Sequence, residues 1–316
     1  EDLLEQNNPN APTLETFWVN ESDALQGLTA AYAGIQNREL TTWELFLYDN
    51  RSDEGYSQSP WTDLANVGKF VFTNYDHPWI YEVWRELYRN IYKANQVLTN
   101  VPNIEMDNAL KERILAEAKF LRGHNYYKLA TLWGRVPMVT EILSPNERYP
   151  QGTVAQVWAL VEQDFKDAAA ILPNPNEYSG TDIGRATKGA AIAYLGKSLL
   201  QQKKWSEASI EFQKIFDLGM YDLMPNFKDN FTTDFENNRE SLFEIQYSNN
   251  NGKASGFPVF NEAGGDEISE RNQFLGPFGW RDAQPTKWLL NQFLIEADMD
   301  GNLVRQSPLS AAQCAA

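Results

Sequence analysis

Residues 106–141, MDNALKERILAEAKFLRGHNYYKLATLWGRVPMVTE, restrict the fold more than any other stretch of the chain. Apolar or small residues recur at Ile114, Ala118, Leu121, Leu129 and Leu132, and a second row at Leu115, Tyr126, Ala130 and Trp133 widens the stripe. A surface helix needs one apolar face; this one carries more, so it is expected to be central and largely buried. Gly134 tolerates a left-handed backbone and Pro137 cannot extend a helical ladder, so the helix stops there.

Further helices follow from the same period. Asn20 or Ser22 caps a helix over 21–38 with Leu25, Leu28, Ala31, Tyr32 and Ile35 as its apolar face. His77-Pro78 opens a helix over about 79–100, and the short link to the central helix makes the two an antiparallel hairpin. A second hairpin joins 153–172, capped by Thr153 and stopped by Pro173, to 187–202, and another helix runs from Lys204 to near Gly219. Ala190, Ala193, Tyr194 and Leu195, then Trp205, Ala208 and Phe212, have the spacing of degenerate tetratricopeptide hairpins, which stack because none buries its apolar face alone.

The remainder is irregular. Residues 1–19 read as an extended arm, 40–76 as a long aromatic-rich loop, and 221–240 as loop; 241–247 alternates as a short strand would. Residues 248–287 are rich in Gly, Asn and Pro, and a helix over 286–296 places Trp288, Leu289, Phe293 and Leu294 inward. The expected fold is therefore mainly α, with helical hairpins beside a loop-rich part and few short strands.

Composition closes off several function classes. With 27 Lys+Arg against 43 Asp+Glu, the net charge of −16 disfavours nucleic acid and anionic membranes, which require basic patches. The single cysteine, Cys314, excludes an intrachain disulfide, a CxxC redox pair and a cysteine zinc site. No apolar run is long enough for a membrane-spanning helix, and the start at Glu1 without Met reads as processed or trimmed. His77 and His124 are the only histidines; both read as packing residues, and no HExxH, GxSxG, P-loop or GxGxxG is present. Asp49, Asp53 and Glu54, and Asp266, Glu267 and Glu270, read as solvated loops rather than a glycosidase pair. The run 298–302 lacks the closing Glu of a calcium loop, so no metal or cofactor is expected.

Aromatic side chains in loops beside planar polar groups are the informative chemistry. Sugars offer C–H faces to Trp and Tyr rings and hydroxyls to Asn, Asp and Arg, so such loops suit glycan capture without proton transfer. Two places fit: 48–61, with Tyr48, Asp49, Asn50, Arg51, Asp53 and Trp61, and 247–281, with Tyr247, Asn249, Asn250, Trp280 and Arg281. Trp84, Trp133, Trp158 and Trp288 lie within expected helices and are assigned to packing. Glu117 and Arg122 read as a buried structural pair or as helix caps, since buried charges persist only when paired.

The run Glu117-Ala118-Lys119-Phe120-Leu121-Arg122, then Tyr126-Tyr127, Leu129 and Gly134-Arg135-Val136-Pro137-Met138-Val139-Thr140-Glu141, resembles the hallmark of the SusD/RagB family. So do Trp280 and Gln284-Pro285-Thr286 with the helix after them. The resemblance implies a glycan-binding, non-enzymatic outer-membrane lipoprotein of Bacteroidetes, built on tetratricopeptide-type hairpins with its ligand surface in loops outside them. It implies capture of oligosaccharides at the cell surface and transfer to a TonB-dependent, SusC-like transporter, on which the protein acts as a lid. The lipid-bearing Cys would lie upstream of Glu1, outside this sequence. The implied organisation is one SusD-like domain over 1–303, with a helical scaffold at 20–219, a loop-rich part at 220–303 and an atypical tail at 304–316, where the pattern breaks as if truncated or frame-shifted. From the residues alone two alternatives stand: a protein-binding repeat scaffold without sugar affinity, and a two-carboxylate glycosidase.

Overall fold

A computed structural model gives the protein's structure and describes residues 17–71, 77–142, 147–247, 274–276, 279–292, 295–297 and 303–306. The chain divides into two compact units, Glu1–Gln36 with Trp84–Tyr247, and Asn37–Val83 with Ser248–Ala316.

The first unit is helical. Helix α1, Glu21–Ile35, starts at Asn20, whose side chain accepts from the Asp23 amide while the Asp23 carboxylate takes the Asn20 N–H, a reciprocal cap. It ends three residues before the expected Arg38. Helix α5, Asn108–Trp133, is capped by Asp107 and terminates at Gly134, whose φ of 72° needs a residue without a side chain. It is the buried centre expected: Ile114, Ala118, Leu121, Tyr126 and Leu129 lose essentially all contact with solvent, while Leu115, Leu132 and Trp133 are half-buried. Helix α6, Val154–Ile171, is capped by Thr153, and α7, Lys188–Gln201, by Thr187. Helix α5 packs on α6, α6 on α7, and α7 on α8, Trp205–Asp217. That serial order is how repeated hairpins bury faces they cannot bury alone.

Polar contacts fix this stack. Tyr126, fully buried, accepts from the Val139 amide at 2.6 Å, which straps the segment after Gly134 back onto α5; burial pushes its phenol up to about 12, so it stays a neutral hydroxyl. The expected strand at 241–247 does not form. Among the described residues no strand pairs with this segment; instead Gln36 Nε2 donates to the Gln246 carbonyl at 2.5 Å and Phe243 sets its ring edge-on to Phe120 at 5.0 Å.

The second unit is built from short elements. The segment expected to be loop holds a π-turn, Glu39–Trp43, then α2, Glu44–Asp49, and α3, Thr62–Lys69. Strand β1, Gly55–Tyr56, pairs antiparallel with β2, Gln284–Pro285, and β3, Ile295–Ala297, pairs with β4, Leu303–Gln306. Helix α9, Lys287–Gln292, lies within the expected 286–296, of which Ile295–Ala297 is strand; Phe293 and Leu294, expected to face inward, lie outside the described residues. Trp288, assigned to packing from sequence, is exposed: so short a helix buries no full apolar face. Helix α4, Pro78–Asn100, contributes its first turns to this unit and the rest to the first unit.

Candidate functional site

In the second unit, five aromatic rings from four segments meet. Trp43, buried at the end of the π-turn, stacks on Trp79 of α4 with centroids 5.0 Å apart and planes 17° apart. Phe274, also buried, meets Trp43 edge-on at 5.4 Å. On this floor stand the two rings singled out from sequence. Trp61 is 38% exposed and lies 5.8 Å from Trp79; Trp280 is 41% exposed and meets Phe274 edge-on at 4.9 Å. Their centroids are 6.0 Å apart, with planes inclined at 54°. Residues more than two hundred positions apart thus form one open V of indole, its backs held by other rings.

Local chemistry explains the convergence. Trp61 occupies the extended position before α3, its amide donating to Ser59 Oγ at 3.2 Å. Thr286 donates from its amide to the Glu54 carbonyl and from Oγ1 to the Asp53 carbonyl, both at 2.7 Å. The Tyr56 hydroxyl donates to Gln284 Oε1 at 2.9 Å beside the two-residue strand pair. Asp282, buried, donates its amide to the Phe274 carbonyl at 2.8 Å, and Arg281 before it is left-handed with φ of 57°. These ties join the loop 49–56 to the segment 280–286 and set Trp280 beside Trp61.

The other expected contacts divide. Tyr48, Asp49, Arg51, Asp53 and Arg281 are exposed in the same unit. Arg51 places its guanidinium over the Phe70 ring at 5.7 Å. Asn50 is only 2% exposed, with neither amide atom hydrogen-bonded, so it lies below the surface a ligand reaches. Tyr247 is half-buried in the first unit, and Asn249 and Asn250 lie outside the described residues, as do the acidic runs 266–270 and 298–300. The supporting rings Trp43, Trp79 and Phe274 were not expected as site residues. Aromatic richness at 40–76 was visible, but ring contact is a property of the folded chain.

The charged residues of the central helix are structural. Arg122 makes a two-point contact with Asp164, at 2.9 and 2.7 Å, and donates to Asn95 at 3.1 Å. Glu117, fully buried, accepts from Tyr32 at 2.7 Å and Arg185 at 3.2 Å; burial holds its carboxyl above the usual range while the two arginines beside it oppose this. Each is thus paired, though not with the other. His124 is enclosed by Phe120, Tyr194 and Phe243, and burial, then Lys128 and Lys197, push its imidazole well below its ordinary value, so it is neutral. Among the described residues no group of His, Cys, Asp or Glu is arranged to hold a metal ion.

Residues 2–200 match a family described as SusD-like, starch-binding and associating with the outer membrane. SusD-like protein P25 of Formosa agariphila is 27% identical over 260 residues, covering 78% of this chain and 49% of that protein. A SusD-like protein of Bacteroides ovatus is 28% identical over 252 residues, 73% of this chain and 44% of the relative. The chain thus spans about half the length of these curated relatives. Among solved structures, a laminarin-binding SusD-like protein superposes with a TM-score of 0.75 at 28% identity, over 87% of this chain and 64% of the other. A SusD-like carbohydrate-binding protein of Bacteroides fragilis shares the fold, with a TM-score of 0.72 at 24% identity over 93% of this chain and 56% of the other.

Proposed function

The chain belongs to the SusD-like family, and from that premise we propose that it captures oligosaccharides at the cell surface through the paired faces of Trp61 and Trp280 and passes them to a SusC-like, TonB-dependent outer-membrane transporter. The observation that carries the reading is that these two indoles are both open to solvent and 6.0 Å apart. Apolar ring faces left in water on a rigid aromatic floor suit the C–H faces of a pyranose, and the exposed Asp49, Asp53, Arg51 and Arg281 supply acceptors and donors for hydroxyls. Relatives named as carbohydrate-binding, one of them laminarin-binding, support a glycan as ligand. Capture needs no bond broken, so the role is binding rather than catalysis, and attachment to the outer membrane through an N-terminal lipid belongs to the same proposal.

Native affinity electrophoresis through gels containing laminarin, starch or other polysaccharides tests this. At least one glycan is expected to retard the protein, and Trp61→Ala or Trp280→Ala to weaken retardation about tenfold or more, the usual loss when a central aromatic anchor is removed. Retardation by no glycan favours a protein-binding scaffold. Cleavage of any glycan in the panel contradicts a purely binding role. For the transfer step, the expected result is co-purification with the transporter encoded beside it; failure of the pair to associate in detergent would remove that step and leave capture intact.

A further inference from the structure

Gln284 has the side chain of a sugar contact and the hydrogen bonds of a brace. A carboxamide near exposed indoles offers a donor and an acceptor that suit hydroxyls. Here each end is already engaged: Oε1 accepts from the Tyr56 hydroxyl at 2.9 Å, and Nε2 donates to the Arg281 carbonyl at 3.2 Å. Tyr56 lies in β1, five residues before Trp61, and Arg281 directly follows Trp280. One half-buried side chain therefore links the two stretches of chain that carry the paired rings.

The turn beside Trp280 does not hold itself. Arg281 is left-handed, with φ of 57°, a conformation that a residue with a Cβ adopts at a cost and keeps only where its neighbours impose it. Gln284 fixes its carbonyl, and the next amide, that of Asp282, donates to the Phe274 carbonyl at 2.8 Å. Beyond the turn, Thr286 Oγ1 accepts from the Leu289 amide at 3.2 Å to cap α9 while donating to the Asp53 carbonyl at 2.7 Å. We propose that Gln284 is a positioning residue for the platform and not a ligand contact: it keeps Trp280 at the separation and tilt from Trp61 that a glycan meets, an inference that rests on the capture reading above. Rings held ready lose less freedom on binding than rings the ligand must order, so the brace acts on affinity without touching sugar.

Calorimetry with laminarin and with starch, and hydrogen exchange without glycan, test this on the intact chain. Gln284→Met, close in size, removes both bonds, and Tyr56→Phe removes one and keeps the ring. Gln284→Glu keeps an acceptor for Tyr56 or for a sugar but sets a carboxylate against the Arg281 carbonyl. Each is expected to weaken binding by about three- to tenfold, the worth of a hydrogen bond, with the urea midpoint retained. Tyr56→Phe combined with Gln284→Met is expected to lose no more than Gln284→Met alone, because both break one relay. In Gln284→Met the Asp282 amide is expected to exchange about threefold faster or more. A direct sugar contact gives the opposite pattern: Gln284→Glu binds like the native chain, the losses of Tyr56→Phe and Gln284→Met add, and exchange is unmoved. Any of these overturns the proposal and leaves capture standing. A native chain that binds neither glycan overturns capture, and the exchange result alone then decides whether Gln284 sets the turn.

Discussion

Arg122 and His124, two residues apart on α5, show how burial assigns roles that residue type leaves open. Asp164 is almost wholly buried, and burial raises its carboxyl above the usual range while the Arg122 guanidinium opposes that. Arg122→Met therefore leaves a carboxylate without its cation and is expected to cost about 3–5 kcal/mol in urea unfolding, whereas Arg122→Met with Asp164→Leu recovers most of the loss. His124 works through pH. Its folded pKa lies well below the unfolded value of about 6.5, so on acidification the unfolded chain takes up a proton that the folded chain refuses. Its neutral form is fully accommodated above about pH 6.5, and stability falls below that by up to about 1.4 kcal/mol per pH unit. Urea midpoints at pH 7 and pH 5.5 check this: the native chain is expected to lose more stability between them than His124→Phe.

At the scale of elements, length decided what could be read from sequence. The long helices announced themselves by period and cap, and Asn20 and Thr153 cap as expected. Helix α2 and helix α3 are too short to complete an apolar pattern, and their aromatic content masked them, so 40–76 read as loop. The same shortness in α9 put Trp288 in the core from sequence and in water in the structure. The close approach of α1 to α4 was also hidden. A Cβ on Gly34 would fall 1.8 Å from Asn90 Oδ1, while Asn90 Nδ2 donates to the Gly34 carbonyl at 2.7 Å. Gly34→Ala is expected to cost about 1–3 kcal/mol by overpacking, read as a lower urea midpoint. Asn90→Ala beside it restores space but loses the hydrogen bond, so it is expected to recover only part.

For the whole molecule, the helical class and the exposed aromatics of the candidate site were legible because both follow from local patterning: a 3.6-residue period, and aromatics next to amides and charges. Distance between segments was not. Residue order made Trp61 and Trp280 two separate places, and the tie of Thr286 to Asp53 and Glu54 makes them one. The burial of Asn50 beside exposed neighbours was likewise invisible, since one turn of backbone decides it. What the molecule offers is thus a stack of helical hairpins in one unit and a ring platform in the other. A double-mutant cycle by calorimetry on whichever glycan retards the protein tests the platform most directly. Rings 6.0 Å apart that receive one ligand are expected to be coupled, so that Trp61→Ala and Trp280→Ala together differ from the sum of the single losses by about 0.5 kcal/mol or more. Binding that survives the double substitution unchanged would contradict the account.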